Sequence, residues 1–213
     1  MENTEQHPKL VSKEESEAIS KFLDKISETE TTMTDRDLST YLREFRLSVN
    51  DLPNKKILDI GSGKQERFSK EASEFGAEVF SINPALQKKE ARNDVKENIT
   101  SNVSGKKLEW QERSFAGRGQ ELPFQDDTFD VVTSLYAVPY FIDSEKGRAQ
   151  ALREIIRVLK SDGKAIIAPG IGIESQTLTD LLGEEGMYWL KKQNCNISAR
   201  KGEPVIITKH ATN

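Results

Sequence analysis

The sequence predicts an α/β protein: a doubly wound, mostly parallel sheet with helices on both faces, preceded by N-terminal helices. Three observations lead to that class. From Lys56 onward, short apolar runs bounded by turn formers alternate with stretches whose apolar residues recur at helical spacing. The first of those runs ends in Gly61-Ser62-Gly63, directly before a helical stripe. The chain has 213 residues, which at roughly 150 per domain suits one domain with an extension.

Residues 1–11 are polar and are expected to be disordered. Ser12 to Glu15 reads S-x-x-E, a capping box, and Ile19, Phe22, Leu23 and Ile26 then make one helical stripe. After a break over Glu28 to Thr34, Thr34 is placed to cap a second helix with Leu38, Tyr41, Leu42 and Phe45 on one face. Leu52-Pro53-Asn54 ends this prelude. The expected organisation is therefore a disordered 1–11, a helical cover over 12–53 and one α/β domain over 54–213. The cover either packs on the main domain as core or closes over a ligand site.

Lys56 to Ile60 (KILDI) reads as a buried strand because turn formers flank it. Phe68, Ala72 and Phe75 share a helix face that Gly76 stops. Ala77 to Ile82 is the next strand, and Pro84 suits the first turn of a following helix with Ala91, Val95, Ile99 and Val103 as its stripe. Leu108 and Trp110 alternate with polar residues as a third strand, and Asp130 to Leu135 forms a fourth. Leu152, Ile155, Ile156 and Leu159 mark a helix closed by Ser161-Asp162-Gly163, and Lys164 to Ala168 is the fifth strand. Leu178, Leu181 and Leu182 suggest a short helix ending near Gly183, and Met187 to Leu190 fits either a strand or a continuing helix. Pro204 to Lys209 is the last strand, turned into from Gly202, so the final two strands suit an antiparallel hairpin.

Composition excludes several classes of function. There are 35 acidic against 31 basic residues, a net charge of −4, which argues against a general nucleic-acid binder. No run approaches the roughly 20 apolar residues of a membrane helix. The start MENTEQHPKL lacks the apolar region of a secretory signal, so a cytoplasmic location is expected. One cysteine, Cys195, excludes an internal disulfide framework. With only His7 and His210 beside it, the usual zinc cages are excluded too, and no metal site is expected.

The strongest local signal for chemistry is Ile57-Leu58-Asp59-Ile60-Gly61-Ser62-Gly63. Glycines between a strand and a helix let backbone approach a ligand, and the helix N-terminus offers unpaired amide donors. The dinucleotide pattern G-x-G-x-x-G fails at Glu66, and the phosphate-loop pattern fails at Gln65. Other polar residues have structural readings. Asp126-Asp127 suits a solvated turn, and Lys146 to Lys160 a solvated helix face. Tyr140 suits packing, and Cys195 a buried thiol. His7 and His210 lie too near the termini to serve well as a base.

Three later segments narrow the class: Leu122 to Asp130 (LPFQDDTFD), Ala151 to Lys160 (ALREIIRVLK) and Ser161 to Ala168 (SDGKAIIA). With ILDIGSG, in this order and spacing, residues 55–170 closely resemble the class I S-adenosylmethionine-dependent methyltransferases of the small-molecule type. The resemblance implies a seven-stranded Rossmann-like methyltransferase fold, six strands parallel and the last antiparallel. It implies a donor lying across the carboxyl ends of the first, second and fourth strands. Asp59, Gly61, Ser62 and Gly63 match the motif around the donor's methionine part. Asn83, followed by Pro84, matches the end of the second strand, where the family usually places an acid on the ribose. Gly117-Arg118-Gly119 matches the adenine segment. Ser134, Leu135 and Tyr136 match the end of the fourth strand, beside the donor and facing the acceptor.

This sequence departs from that pattern at three positions. Gln65 stands where a third glycine is common. Asn83 replaces the ribose acid; exchanging a charged for a neutral hydrogen bond loses on the order of 1 kcal/mol, about five- to tenfold in affinity. Arg118 replaces the adenine aspartate, and a guanidinium only donates, as does the adenine amino group. The resemblance implies an enzyme with S-adenosylmethionine as its cofactor and a small molecule as its acceptor, with no catalytic side chain assigned. The departures motivate an alternative, a catalytically silent binding module with another ligand or a protein partner. Gly61-Ser62-Gly63 alone motivates a third, a nicotinamide oxidoreductase.

Overall fold

The computed structural model describes residues 36–63, 65–84, 113–168 and 178–211. Helix α1 is Leu38–Phe45, and a short 3-10 turn covers Val49–Asp51. Strand β1 is Lys56–Ile60, helix α2 Arg67–Glu74 and strand β2 Glu78–Ile82. Strand β3 is Ser114–Phe115, β4 Phe129–Leu135, helix α3 Glu145–Val158 and strand β5 Leu159–Ala168. Helices α4 (Leu178–Leu182) and α5 (Glu184–Leu190) lead to strands β6 (Cys195–Ser198) and β7 (Val205–Lys209).

The strands form one seven-stranded sheet in the order β3-β2-β1-β4-β5-β7-β6. The pairs among β1 to β5 are parallel, and β7 runs antiparallel to both β5 and β6. Six strands therefore share one direction and the last opposes them, as the family resemblance implied.

Alternation along the strands divides the core in two. Leu58, Ile60, Val132 and Ile167 face α3, where Ala151, Leu152 and Ile155 are buried, and α4 and α5 extend that layer. Ile57, Val79, Leu135 and Ile166 face α1 and α2, meeting Leu38, Tyr41, Phe45, Phe68 and Ala72. The helix predicted over the stripe Leu38 to Phe45 is thus part of the core of the second face. Tyr41 stacks on Phe68 with ring centroids 4.0 Å apart.

Several boundaries differ from the expectation, for local reasons. Helix α1 is capped by Asp37, whose side chain accepts from the Thr40 amide at 2.9 Å. Thr34 lies outside the described residues, as do the predicted helix over Ile19 to Ile26, the helix after Pro84 and the strand at Leu108 and Trp110. Helix α3 stops at Val158, because Leu159 is already extended. The Ser161-Asp162-Gly163 run is a correction: it forms a bulge inside β5 where a helix stop was expected. Pairing with β4 runs from Phe129–Leu159 to Val131–Lys164, so the extra residues leave the ladder. Asp162 takes a left-handed φ of 63°, and a Cβ on Gly163 would lie 2.8 Å from the Lys160 carbonyl. Met187 to Leu190 is helical; Gly183, at φ 78°, separates α5 from α4.

Arg157 does more than solvate its helix. Its guanidinium bonds Glu154, Asp126 and the carbonyls of Leu122 and Phe124, fastening the approach to β4 onto α3. Asp127 pairs with Lys209 at 2.7 Å.

Candidate functional site

The strand order reverses direction between β1 and β4: the chain runs outward from β1 to β2 and β3 on one side, and from β4 to β5 on the other. In open α/β sheets a ligand crevice opens at such a point, beyond the carboxyl ends of the strands. Ile60-Gly61, Ile82-Asn83 and Leu135-Tyr136 lie at those ends here.

Gly61 is required twice over. Its φ is 87°, and a Cβ built on it would sit 2.3 Å from the Cβ of Ala137, in the turn after β4. Its amide donates to the Ile82 carbonyl at 2.8 Å, drawing the end of β1 onto the end of β2. Gly63 has a φ of 78°, and its carbonyl accepts from the Asn83 side-chain amide at 2.8 Å. Asn83 therefore ties the end of β2 to the glycine turn, while its own amide donates to Phe115 at 3.0 Å. Pro84 follows directly, half-buried.

Beyond β4, Ser134 holds its turn by accepting from the Val138 amide at 2.8 Å and donating to the Val138 carbonyl at 3.0 Å. Tyr136 takes a left-handed φ of 53°, its amide donating to Ala168 at 2.7 Å. The Gly117 to Gly119 segment packs at the same end of the sheet. A Cβ on Gly117 would lie 2.6 Å from Ile82, and one on Gly119 2.8 Å from Val138. Arg118 forms an ion pair with Glu121 at 3.7 Å. Gly61, Ser62, Gly63, Asn83, Gly119, Ser134 and Tyr136 thus gather around the strand ends.

Asp59 behaves differently. It is fully buried on the α1–α2 face, one oxygen accepting from the Tyr41 hydroxyl at 2.9 Å and the other from Thr133 at 3.0 Å. Burial pushes its carboxyl up to about 7 against those two hydrogen bonds, and nearby Glu66 adds to the rise. Sequence reasoning noted Glu66 only as a broken glycine pattern. In the fold it is fully buried at the start of α2, with a φ of 47°, accepting from Ser62 and Ser114. Burial pushes the Glu66 carboxyl up as well. Ser69 and Ser81 meet hydroxyl to hydroxyl alongside.

These groups share one line. Thr133, Asp59, Ser81 and Ser114 are register neighbours across β4, β1, β2 and β3, making a polar row beneath the glycine turn. The signal was present in the sequence: Asp59, Ser81 and Thr133 interrupt otherwise apolar buried positions of β1, β2 and β4, and β4 carries a second buried polar residue, Ser134, on its other face. Among the described residues, no group of three or more His, Cys, Asp or Glu is placed to hold a metal ion. Cys195 sits half-buried on β6, and His210 lies 3.7 Å from Asp162. No described helix is long and apolar enough to cross a membrane.

The two glycines of the Gly61-Ser62-Gly63 turn, at the reversal point of a doubly wound sheet, leave backbone open between the Asn83 amide and Tyr136, at the place where open α/β sheets form a ligand crevice. Residues 58–167, more than half of the chain, match the family described as a methyltransferase domain, and the chain belongs to that family. It is 30% identical over 129 residues to the uncharacterized methyltransferase YcgJ of Bacillus subtilis, covering 60% of this chain and 45% of that protein. It is 32% identical over 117 residues to the ubiquinone/menaquinone biosynthesis C-methyltransferase UbiE of Idiomarina loihiensis, covering 53% of this chain and 41% of that one. The match thus spans less than half the length of either relative. Among solved structures, a TehB-like SAM-dependent methyltransferase from Corynebacterium glutamicum superposes with a TM-score of 0.56 at 19% identity, covering 94% of this chain and all of the other. That last likeness concerns the fold.

Proposed function

We propose that this protein transfers a methyl group from S-adenosylmethionine to a small-molecule acceptor. The observation that carries this reading is the Gly61–Gly63 turn at the β1–β4 reversal point, in a chain of the methyltransferase-domain family. When bound, the donor supplies a methyl group already activated by its positively charged sulfur, so the protein's work is alignment and exclusion of water.

The residues present fit such a guest. The turn offers backbone without side chains at Gly61 and Gly63, where a methionine part would lie. Asn83 offers an amide at the end of β2, so a ribose hydroxyl there meets a neutral partner. Gly117 and Gly119 bring backbone to the adenine side. Ser134 fixes the turn that presents Tyr136 toward the acceptor.

Calorimetry of S-adenosylhomocysteine binding to the purified protein tests the reading. Micromolar affinity is expected; no binding at about 1 mM, on the order of 4 kcal/mol, overturns it. A second reading, a binding module without turnover, draws on the Asn83 amide held by Gly63 and on the Arg118–Glu121 pair. Release of labelled methyl groups to any added acceptor would refute that second reading.

A further inference from the structure

We infer that Glu66 is the positioning residue of the glycine turn, a buried acid that keeps Ser62 in place while it carries a proton and releases it when the proton leaves. This rests on the reading that the turn receives a nucleoside. Ser62 lies between Gly61 and Gly63, the two turn residues with left-handed φ, and it is buried. Its hydroxyl faces into the protein and donates to one oxygen of the Glu66 carboxyl at 3.2 Å. The other oxygen takes the hydroxyl of Ser114 on β3, and the hydroxyl of Ser81 on β2 reaches the same carboxyl. Ser81 and Ser114 are register partners. One side chain therefore joins the turn after β1 to β2 and β3, while Asn83 holds the same turn at Gly63.

A hydroxyl can donate or accept, so this network closes around a protonated acid as well as around a carboxylate. Burial decides between the two forms. Glu66 is fully buried, and burial outweighs its three hydroxyl bonds, pushing the carboxyl up and favouring the protonated form. The described titratable groups around it are Asp59 on β1 and Tyr41 on α1, and Asp59 repels a second charge. Arg67, next in the chain, turns outward to Asp37 and Glu71. From β2 and β3 the described groups facing Glu66 are the hydroxyls of Ser81 and Ser114.

Ionisation puts a charge into an enclosed site, and the site relaxes by admitting water or by moving. The backbone at Glu66 already holds a left-handed φ of 47°, so a shift there relieves strain. Ser62 then loses its anchor, and Gly61 and Gly63 move with it. Because the folded pKa is raised, the hold on the turn is complete below the ordinary carboxylate range. It is lost as pH rises through the folded value.

Calorimetry of S-adenosylhomocysteine binding to the full chain, at about pH 6 and about pH 9, compares the wild type with Glu66→Gln. Glutamine has the shape of the protonated acid and no proton to lose. Titration of the ligand's own amine is common to both proteins and cancels in the ratio of their affinities. That ratio, wild type over variant, is expected to fall by at least about fivefold between the two pH values. A constant ratio overturns the inference and leaves Glu66 a purely structural residue. A rising ratio overturns it as well, since the carboxylate would then be the form that holds the turn. Should Glu66→Gln fail to fold, Asp59→Asn titrated with 5′-methylthioadenosine gives a second reading, because that nucleoside has no group titrating in this range. Its affinity is expected to fall by a similar factor toward pH 9, and an affinity independent of pH overturns the inference. A wild type that binds neither nucleoside at either pH refutes the functional reading and removes this inference with it, an outcome distinct from a constant ratio.

Discussion

The Tyr41 hydroxyl donates to the Asp59 carboxylate across 2.9 Å, joining α1 to β1 beneath the glycine turn. Both groups are buried, and Tyr41 is stacked on Phe68 of α2. The segment before the α/β domain is therefore fastened to the strand that carries the Gly61–Gly63 turn. Tyr41→Phe keeps the stacking and removes the donor, leaving Asp59 with Thr133 alone. The expected loss is about 1–3 kcal/mol of stability, read as a lower urea midpoint at unchanged slope.

Asp59 also predicts a pH dependence. Its folded pKa stands at about 7, above its ordinary value, because burial disfavours the charge. The native state therefore holds a proton that the unfolded chain has released between about pH 4 and 7. The stabilisation from this proton is full below the unfolded pKa and is lost as pH rises through the folded one. Burial of Glu66 acts in the same direction. Asp37 acts the opposite way in a lower window, since its cap bonds with Thr40 hold its pKa down at about 2. Urea midpoints at pH 5 and pH 8 should show the wild type losing stability relative to Asp59→Asn as pH rises, by up to a few kcal/mol. A constant difference between the two proteins would contradict the buried-proton account.

Gly61 admits no side chain. Gly61→Ala would force a left-handed φ on alanine and press its Cβ into Ala137. Overpacking and strain together should cost about 1–3 kcal/mol and separate the ends of β1 and β4. Affinity for S-adenosylhomocysteine should fall by at least tenfold, on the order of 1.4 kcal/mol, as measured by calorimetry.

Asn83→Asp should weaken nucleoside binding, although the family's usual residue there is an acid. The Asn83 amide donates to the Gly63 carbonyl, and a carboxylate in its place would set two acceptors face to face. The turn would shift, and affinity should drop by about three- to tenfold. An increase in affinity on this substitution would show that the turn does not depend on the Asn83 donor.

Much of the fold was legible, and the illegible parts have local causes. KILDI and the strand before Asn83 stood out because turn formers flank short apolar runs. The bulge in β5 was hidden because Ser161-Asp162-Gly163 has the composition of a helix stop, and only pairing with β4 reveals its use. At the site, the turn Gly61–Gly63, Asn83 and Tyr136 were readable as neighbours once the strand order was known. Glu66 was not, since a buried carboxylate met by Ser62 and Ser114 depends on register across three strands.

The central claim is that the crevice above Gly61 and Gly63 receives a sulfonium nucleoside. A crystal structure of the protein with S-adenosylhomocysteine tests it most directly. Density for the nucleoside should cross the ends of β1, β2 and β4, with the amino-acid part over the glycine turn and the ribose beside Asn83. A nucleoside bound elsewhere on the molecule, with this crevice filled by the protein's own side chains, would contradict the account.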